Sequence, residues 1–257
     1  MPYCCICEQT VARWLPHPQA DQRSPLMQVL GTVGSDLSMY LCPSCDCSDR
    51  DRHLWLYMRA SGLSKQLQGA SVLHLAPEPH LERMISACQP GEYILGDLHP
   101  TQAHHQRIDL EALPFADNSL DLIICNHILE HVHHPDKALS EIHRALKPGG
   151  IVIAQTPYAP YLKHTLEMKT APDAQTAYLL YGQADHVRLF GDDITDYFHA
   201  AGLQGELLSH GSLLPNVLPA DFGCNAREPF FVFWKPQGTV QVQDAGQHEQ
   251  LAVLQPA

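Results

Sequence analysis

Six of the nine cysteines fall in two knots, Cys4-Cys5-Ile6-Cys7 and Cys42-Pro43-Ser44-Cys45-Asp46-Cys47. Each knot contains a C-x-x-C pair, whose two thiolates reach one ion at about 2.3 Å, and two such pairs complete a tetrahedral site. Cys4, Cys7, Cys42 and Cys45 are the expected ligands of a structural Zn2+, because four thiolates leave no position for water or substrate. Cys5 and Cys47 would serve only after a shift to C-x-C spacing, which strains the knuckle. The rivals are unpaired reduced thiols and a redox role for a single C-x-x-C. Cys88, Cys125 and Cys224 read as packed thiols.

The elements that must position these residues follow from length and pattern. A chain of 257 residues, 45% apolar and 17% charged, builds one large core with a small appendage. Pro16, Pro18, Pro25, Gly31 and Gly34 between the cysteine knots suit a ribbon of turns and short strands over 1–48. Residues 49–62 read as an amphipathic helix with a glycine stop, and 49–68 as a docking helix and linker; Arg50 and Arg52 either bind substrate or, as the plainer reading, lie on a solvated face. From residue 71 short apolar runs alternate with helical patterns, as in a parallel sheet with crossover helices. The strands are expected at 71–76, 93–97, 106–109, 120–126 and 151–155, with helices over 81–88 and up to a stop at Lys147-Pro148-Gly149-Gly150. The main domain covers 69–236, and the Gln-rich stretch 237–257 is expected to be a disordered tail.

Charge excludes some partners. Sixteen Lys and Arg against 28 Asp and Glu give −12, which disfavours nucleic acid by bulk charge. No apolar run approaches the ~18 residues of a membrane span. The start Met1-Pro2-Tyr3-Cys4 lacks the order of a signal peptide, so a cytoplasmic location is expected.

The blocks Asp109 to Asp121, Asn126-His127-Ile128-Leu129-Glu130-His131-Val132 and Leu139 to Gly150 resemble, in order and spacing, the class I S-adenosylmethionine-dependent methyltransferases. The resemblance covers roughly 70–155, and the Arg227 to Lys235 run is similar to the family's last strand. It implies an α/β fold, a Rossmann-like seven-stranded methyltransferase sheet carrying the small N-terminal zinc-binding ribbon, with S-adenosyl-L-methionine as cofactor. By the family's pattern Asp97, followed by Leu98, holds the ribose hydroxyls. Asp109 accepts from the adenine amino group beside Leu110, and Asn126 and His127 border the sulfonium. The plainer role for either aspartate is a cap or turn. The first loop departs from the pattern: His74-Leu75-Ala76-Pro77-Glu78-Pro79-His80 replaces every expected glycine and adds two prolines. It resembles a subgroup with an L-A-P-E loop and an N-terminal double C-x-x-C, so His74, Ala76 and Glu78 are expected to form a variant cofactor loop.

Methyl transfer to an alcohol or amine requires a proton acceptor, for which histidine is suited. His127 and His186 are the candidates, the latter in Asp185-His186-Val187-Arg188-Leu189-Phe190-Gly191, where the family often builds its acceptor pocket. The plainer role for His186 is to orient the loop before a helix over 192–201. Tyr158, Tyr161, Tyr178 and Tyr181 would line that pocket or form a local core. A metal reading of His131, His133 and His134 is discounted, since neighbouring histidines in a proline-containing loop are usually solvated. The expected activity is methylation of an oxygen or nitrogen on a small-molecule acceptor. The alternatives are a non-catalytic zinc-binding scaffold, an RNA methyltransferase, and a zinc-dependent redox regulator. The acceptor and the oligomeric state stay open.

Overall fold

The computed structural model describes residues 1–21 and 24–237. The expected tail therefore lies outside the described residues, apart from Gln237, whose side chain lies beside Gly149.

Strands β1 (Tyr3–Cys4) and β2 (Gln9–Thr10) form a short antiparallel ribbon, with Tyr3 opposite Thr10. The two cysteine turns close in the same way. The Glu8 amide donates to the Cys4 carbonyl at 2.8 Å and the Asp46 amide to the Cys42 carbonyl at 2.9 Å. Glu8 and Asp46 both sit at φ 58°. The expectation of turns and strands alone misses α1 (Pro25–Val29), whose proline sits in the first turn, where its missing N–H costs no helical bond.

Helix α2 (Asp49–Ala60) starts with a reciprocal cap. The Asp51 amide donates to Ser48 Oγ at 3.2 Å, and the Ser48 amide to Asp51 Oδ2 at 2.7 Å. The solvated face expected for this helix is not observed, since Asp49 and every residue from Asp51 to Met58 are buried. Arg52, expected in water, is 0% exposed and lies over the Trp14 ring. Its guanidinium donates to the carbonyls of Met39, Cys47, Phe222 and Gly223. The helix is wedged between ribbon and main domain, so it has no water-facing side.

After α3 (Leu63–Gln66), strand β3 (Ser71–Leu75), α4 (Pro79–Ala87), β4 (Glu92–Asp97), β5 (Gln106–Arg107), β6 (Leu120–Ile124), α5 (Pro135–Ala145) and β7 (Leu146–Ile153) alternate. Then come β8 (Leu166–Glu167), α6 (Ala174–Tyr181), β9 (Arg188–Leu189), α7 (Ile194–Ala200) and β10 (Gln204–Leu208). Helices α8 (His210–Leu213) and α9 (Pro219–Phe222) precede β11 (Phe230–Trp234). The expected Lys147–Gly150 stop is instead part of β7: α5 ends at Ala145, and the run bulges between the Leu120–Leu146 and Leu122–Ile151 pairs.

The seven-stranded sheet runs β10-β11-β7-β6-β3-β4-β5. The five strands from β7 to β5 are parallel, and β11 is antiparallel to both β7 and β10. Strand period two sends alternate residues to opposite cores. Leu73, Ile123 and Val152 join the core that includes α5 and α7, while Val72, Ile124 and Ile153 join the one that includes α2 and α4. Helix α2 thus supplies part of one covering layer of the sheet. Phe230, Phe231 and Phe233 are 0% exposed, each contributing about 1.5–3 kcal/mol of burial.

Chain order reverses between β3 and β6, the switch point at whose carboxyl edge such sheets bind ligands.

Candidate active site

The first loop leaves β3 through Ala76, at φ 46°. This left-handed conformation costs a residue with a Cβ roughly 1–2 kcal/mol and is usually glycine's. The loop has therefore kept a glycine-like backbone without the glycine. The Ala76 amide donates to Gly96 at 2.8 Å. His74, 0% exposed, places Nε2 2.9 Å from Glu78 Oε2 and Nδ1 2.9 Å from the Tyr93 hydroxyl. A carboxylate only accepts, so Nε2 carries a proton toward Glu78, and the Tyr93 hydroxyl completes the second ring contact. Burial pushes the Glu78 carboxyl up, but the His74 hydrogen bond and charge outweigh it and leave Glu78 below its ordinary value.

Asn126 joins this loop to the end of β6. Its Nδ2 donates to Glu78 Oε1 at 3.4 Å, and its Oδ1 accepts from the Gln155 amide at 3.1 Å. His127 follows at φ 53°, its amide 2.7 Å from the Gln155 carbonyl. Gln155 in turn donates from Nε2 to Pro229 and accepts from the Phe231 amide, so one buried amide locks β6, β7 and β11 together. His127 Nδ1 lies 3.5 Å from Glu130 Oε1, and Glu130 is 1% exposed. Burial raises the Glu130 carboxyl, yet His127, His186 and His131 hold it below the ordinary range.

His186 is 4% exposed and its Nδ1 donates to the Tyr181 carbonyl at 3.0 Å. That bond fixes the tautomer and leaves Nε2 as the lone-pair nitrogen, a buried atom with no hydrogen bond among the described residues. Burial holds His186 below the ordinary histidine value, partly offset by Glu130. Glu130, His131 and His186 bring one donor atom each within 4.8 Å of one another. The sequence grouped His131 with His133 and His134, whereas the fold groups it with Glu130 and His186. Arg188, which carried no signal in the sequence, organises this loop from a fully buried position. It donates to the carbonyls of Leu129, Val132 and His133 and pairs through two nitrogens with Glu167.

Asp97 ends β4, whereas β5 stops at Arg107 and leaves Asp109 two residues beyond it; each spends Oδ1 on a turn, accepting from the amides of His99 and Glu111 at 2.7 and 2.8 Å. Leu110 is buried and Leu98 half-exposed. A small crevice beside Glu78, Asn126 and His127 is roofed by Arg50 and His53 of α2. A cavity of about 200 Å³ adjoins it, sharing Arg50 and reaching His186 and Arg227. Of the four candidate tyrosines only Tyr181 lines that cavity, whereas Tyr161 is 79% exposed. Most of its wall comes instead from residues 24–37, a contribution that sequence reasoning missed. A wider cleft, about 440 Å³, lies at the opposite edge of the sheet beside Asp121 and Lys147.

The four cysteines form one cluster, with Cys4 Sγ 3.9 Å from Cys45 and Cys7 Sγ 3.9 Å from Cys42. Tetrahedral geometry with bonds of about 2.3 Å requires sulfur separations near ~3.8 Å, which the Cys4–Cys45 and Cys7–Cys42 pairs match. Cys47, whose thiol is 3.4 Å from Cys4, also receives Arg52 Nη1.

A family described as a methyltransferase domain matches residues 64–154. Among curated proteins, the chain is 33% identical over 133 residues to the ubiquinone/menaquinone biosynthesis C-methyltransferase UbiE of Legionella pneumophila, covering 43% of this chain and 53% of that one. It is 42% identical over 69 residues to the demethylmenaquinone methyltransferase of Renibacterium salmoninarum, covering 23% and 29%. The chain thus spans at most about half the length of these relatives. A solved complex between the Haloferax volcanii Trm112 methyltransferase activator and a methyltransferase is similar at TM-score 0.49 and 17% identity, covering 74% of this chain and 94% of that one.

Proposed function

We propose that the chain is an S-adenosylmethionine-dependent methyltransferase acting on an oxygen or nitrogen of a small-molecule acceptor, with a structural zinc ion held by Cys4, Cys7, Cys42 and Cys45. The observation that carries the reading is the hydrogen-bonded Glu78–Asn126 link across the switch point of a domain that matches methyltransferases. When bound, the cofactor supplies a methyl group on a sulfonium for in-line displacement. Asp97 and Leu98 then hold the ribose, Asp109 and Leu110 the adenine, and His74, Ala76, Glu78, Asn126 and His127 the methionine end. His186 accepts the acceptor's proton at Nε2, the atom its tautomer leaves free. His127 is the second candidate base. Transfer to carbon is the alternative, favoured by relatives described as C-methyltransferases.

Calorimetric titration with S-adenosylmethionine and S-adenosylhomocysteine tests the reading. Micromolar binding, weakened on the order of tenfold or more in Asp97→Ala through loss of a charged hydrogen-bond acceptor, is expected. No binding by folded protein would leave a zinc-binding scaffold as the better description. One zinc per chain, lost in Cys42→Ser, is the expected metal content.

A further inference from the structure

The cavity between residues 24–37 and the main domain has a chemical character unlike the rest of the chain. The sequence holds 28 Asp and Glu against 16 Lys and Arg, yet among the described residues no carboxylate lines this cavity of about 200 Å³. Two guanidiniums do, Arg50 from α2 and Arg227 from the turn before β11. The ion-paired arginines among the described residues are Arg144 and Arg188, not these two. Arg50 does act on two buried carboxyls outside this lining, as the leading lowering influence on Asp49 and a lesser one on Glu228.

Both guanidiniums are held by neutral partners. Arg50 Nε donates to Ser35 Oγ at 2.5 Å, and Arg227 Nη2 donates to the Gly31 carbonyl. The Arg227 turn is itself pinned, because Asn225 donates from Nδ2 to the Gly34 carbonyl at 2.6 Å and accepts the Arg227 amide at 3.0 Å. A guanidinium has five N–H donors. Among the described residues each of these two spends one, so a planar set of donors remains on a fixed frame. That is the geometry that recognises carboxylate or phosphate oxygens in pairs. His186, 4% exposed and with Nε2 unpartnered, lines the same cavity.

We propose that this cavity is the acceptor site and that Arg50 and Arg227 hold an oxyanion of the acceptor, a carboxylate or a phosphate, beside His186. Arg50 also lines the crevice next to Glu78 and His127, so the anion would lie alongside the methionine end of the cofactor. The inference rests on the methyltransferase reading for its role, but the anion site stands on its own geometry. It also assigns the N-terminal module a task besides stability, since residues 24–37 form one wall.

The full zinc-loaded chain is titrated with inorganic phosphate and, separately, with malonate, and each sample is then titrated with S-adenosylmethionine. Saturable binding of at least one anion in the low-millimolar range or tighter is expected, weakened about tenfold or more in Arg227→Gln. Stronger phosphate binding would mark a phosphorylated acceptor, and stronger malonate binding a carboxylic acid. Arg50→Gln, expected to weaken binding as well, keeps the test informative where Arg227→Gln fails to fold. Absence of saturable binding for both anions, or binding unchanged in both variants, overturns the proposal. Anion binding without S-adenosylmethionine binding would overturn the methyltransferase reading and leave the anion site standing. Cofactor binding without anion binding would do the reverse.

Discussion

The two edges of the central sheet differ in kind. The amino edge has the larger opening, about 440 Å³, and its charged pair is already satisfied, Lys147 Nζ lying 2.7 Å from Asp121. The carboxyl edge has less space but gathers buried polar atoms that lack a hydrogen bond. Among the described residues, the buried side-chain atoms without a hydrogen bond belong to Asp49, Asp51 and His53 of α2, to His127 and Glu130 after β6, and to His186 between α6 and β9. Volume alone would point to the amino edge, away from the proposed site. Desolvated polar groups with no partner cost about 1–3 kcal/mol each, and a fold tolerates several together where a ligand supplies what is missing.

Arg188→Ala gives the largest stability effect expected from this contrast. It strips three carbonyls and Glu167 of a buried guanidinium, and a loss of about 3–5 kcal/mol in urea unfolding is expected. A loss below about 1 kcal/mol would mean that the carboxyl-edge loop is held by something else.

The pH response sharpens the contrast next. Burial holds His53 and His186 below the ordinary histidine value near about 6.5, so the unfolded chain takes up their protons first and stability falls as pH drops below that value. Asp49 opposes them: burial, then Glu228, raises it to about 7, so the folded chain takes up its proton as pH falls through that value. Urea midpoints at pH 7.5, 6.5 and 5.5 are expected to decline gently in the native sequence and more steeply in Asp49→Asn. Equal slopes would remove Asp49 from the balance.

The smallest effect belongs to the amino edge. Lys147→Ala breaks a pair whose members are about two-fifths exposed, so water already screens it, and a change of only about 0.2–1 kcal/mol with unchanged cofactor affinity is expected. Altered S-adenosylmethionine binding in this variant would move the site to the wider cleft.

Much of this organisation was legible before any coordinates. The two C-x-x-C turns are local devices, closed by bonds four residues apart, and the apolar runs placed β3, β4, β6 and part of β7. Strand β10 was missed because its half-exposed residues, Gln204 to Leu208, lack a continuous apolar run. Arg52 was assigned to a solvated face because helical periodicity reports which residues share a side, and it is silent on whether two bodies bury that side.

The amino-acid sequence by itself determined the pairing of the two C-x-x-C knots, the alternation of strands and helices, and the aspartates at the end of β4 and just past β5, because these depend on spacing and on apolar runs. Only the tertiary structure decided that α2 roofs the switch point, that Ala76 holds a glycine-like backbone, and that Glu130 meets His186. It also decided that Arg50 and Arg227, far apart in the chain, face one cavity. Such partners are fixed by how separate elements pack and by which polar atoms packing leaves dry. No local pattern of residue types encodes either one.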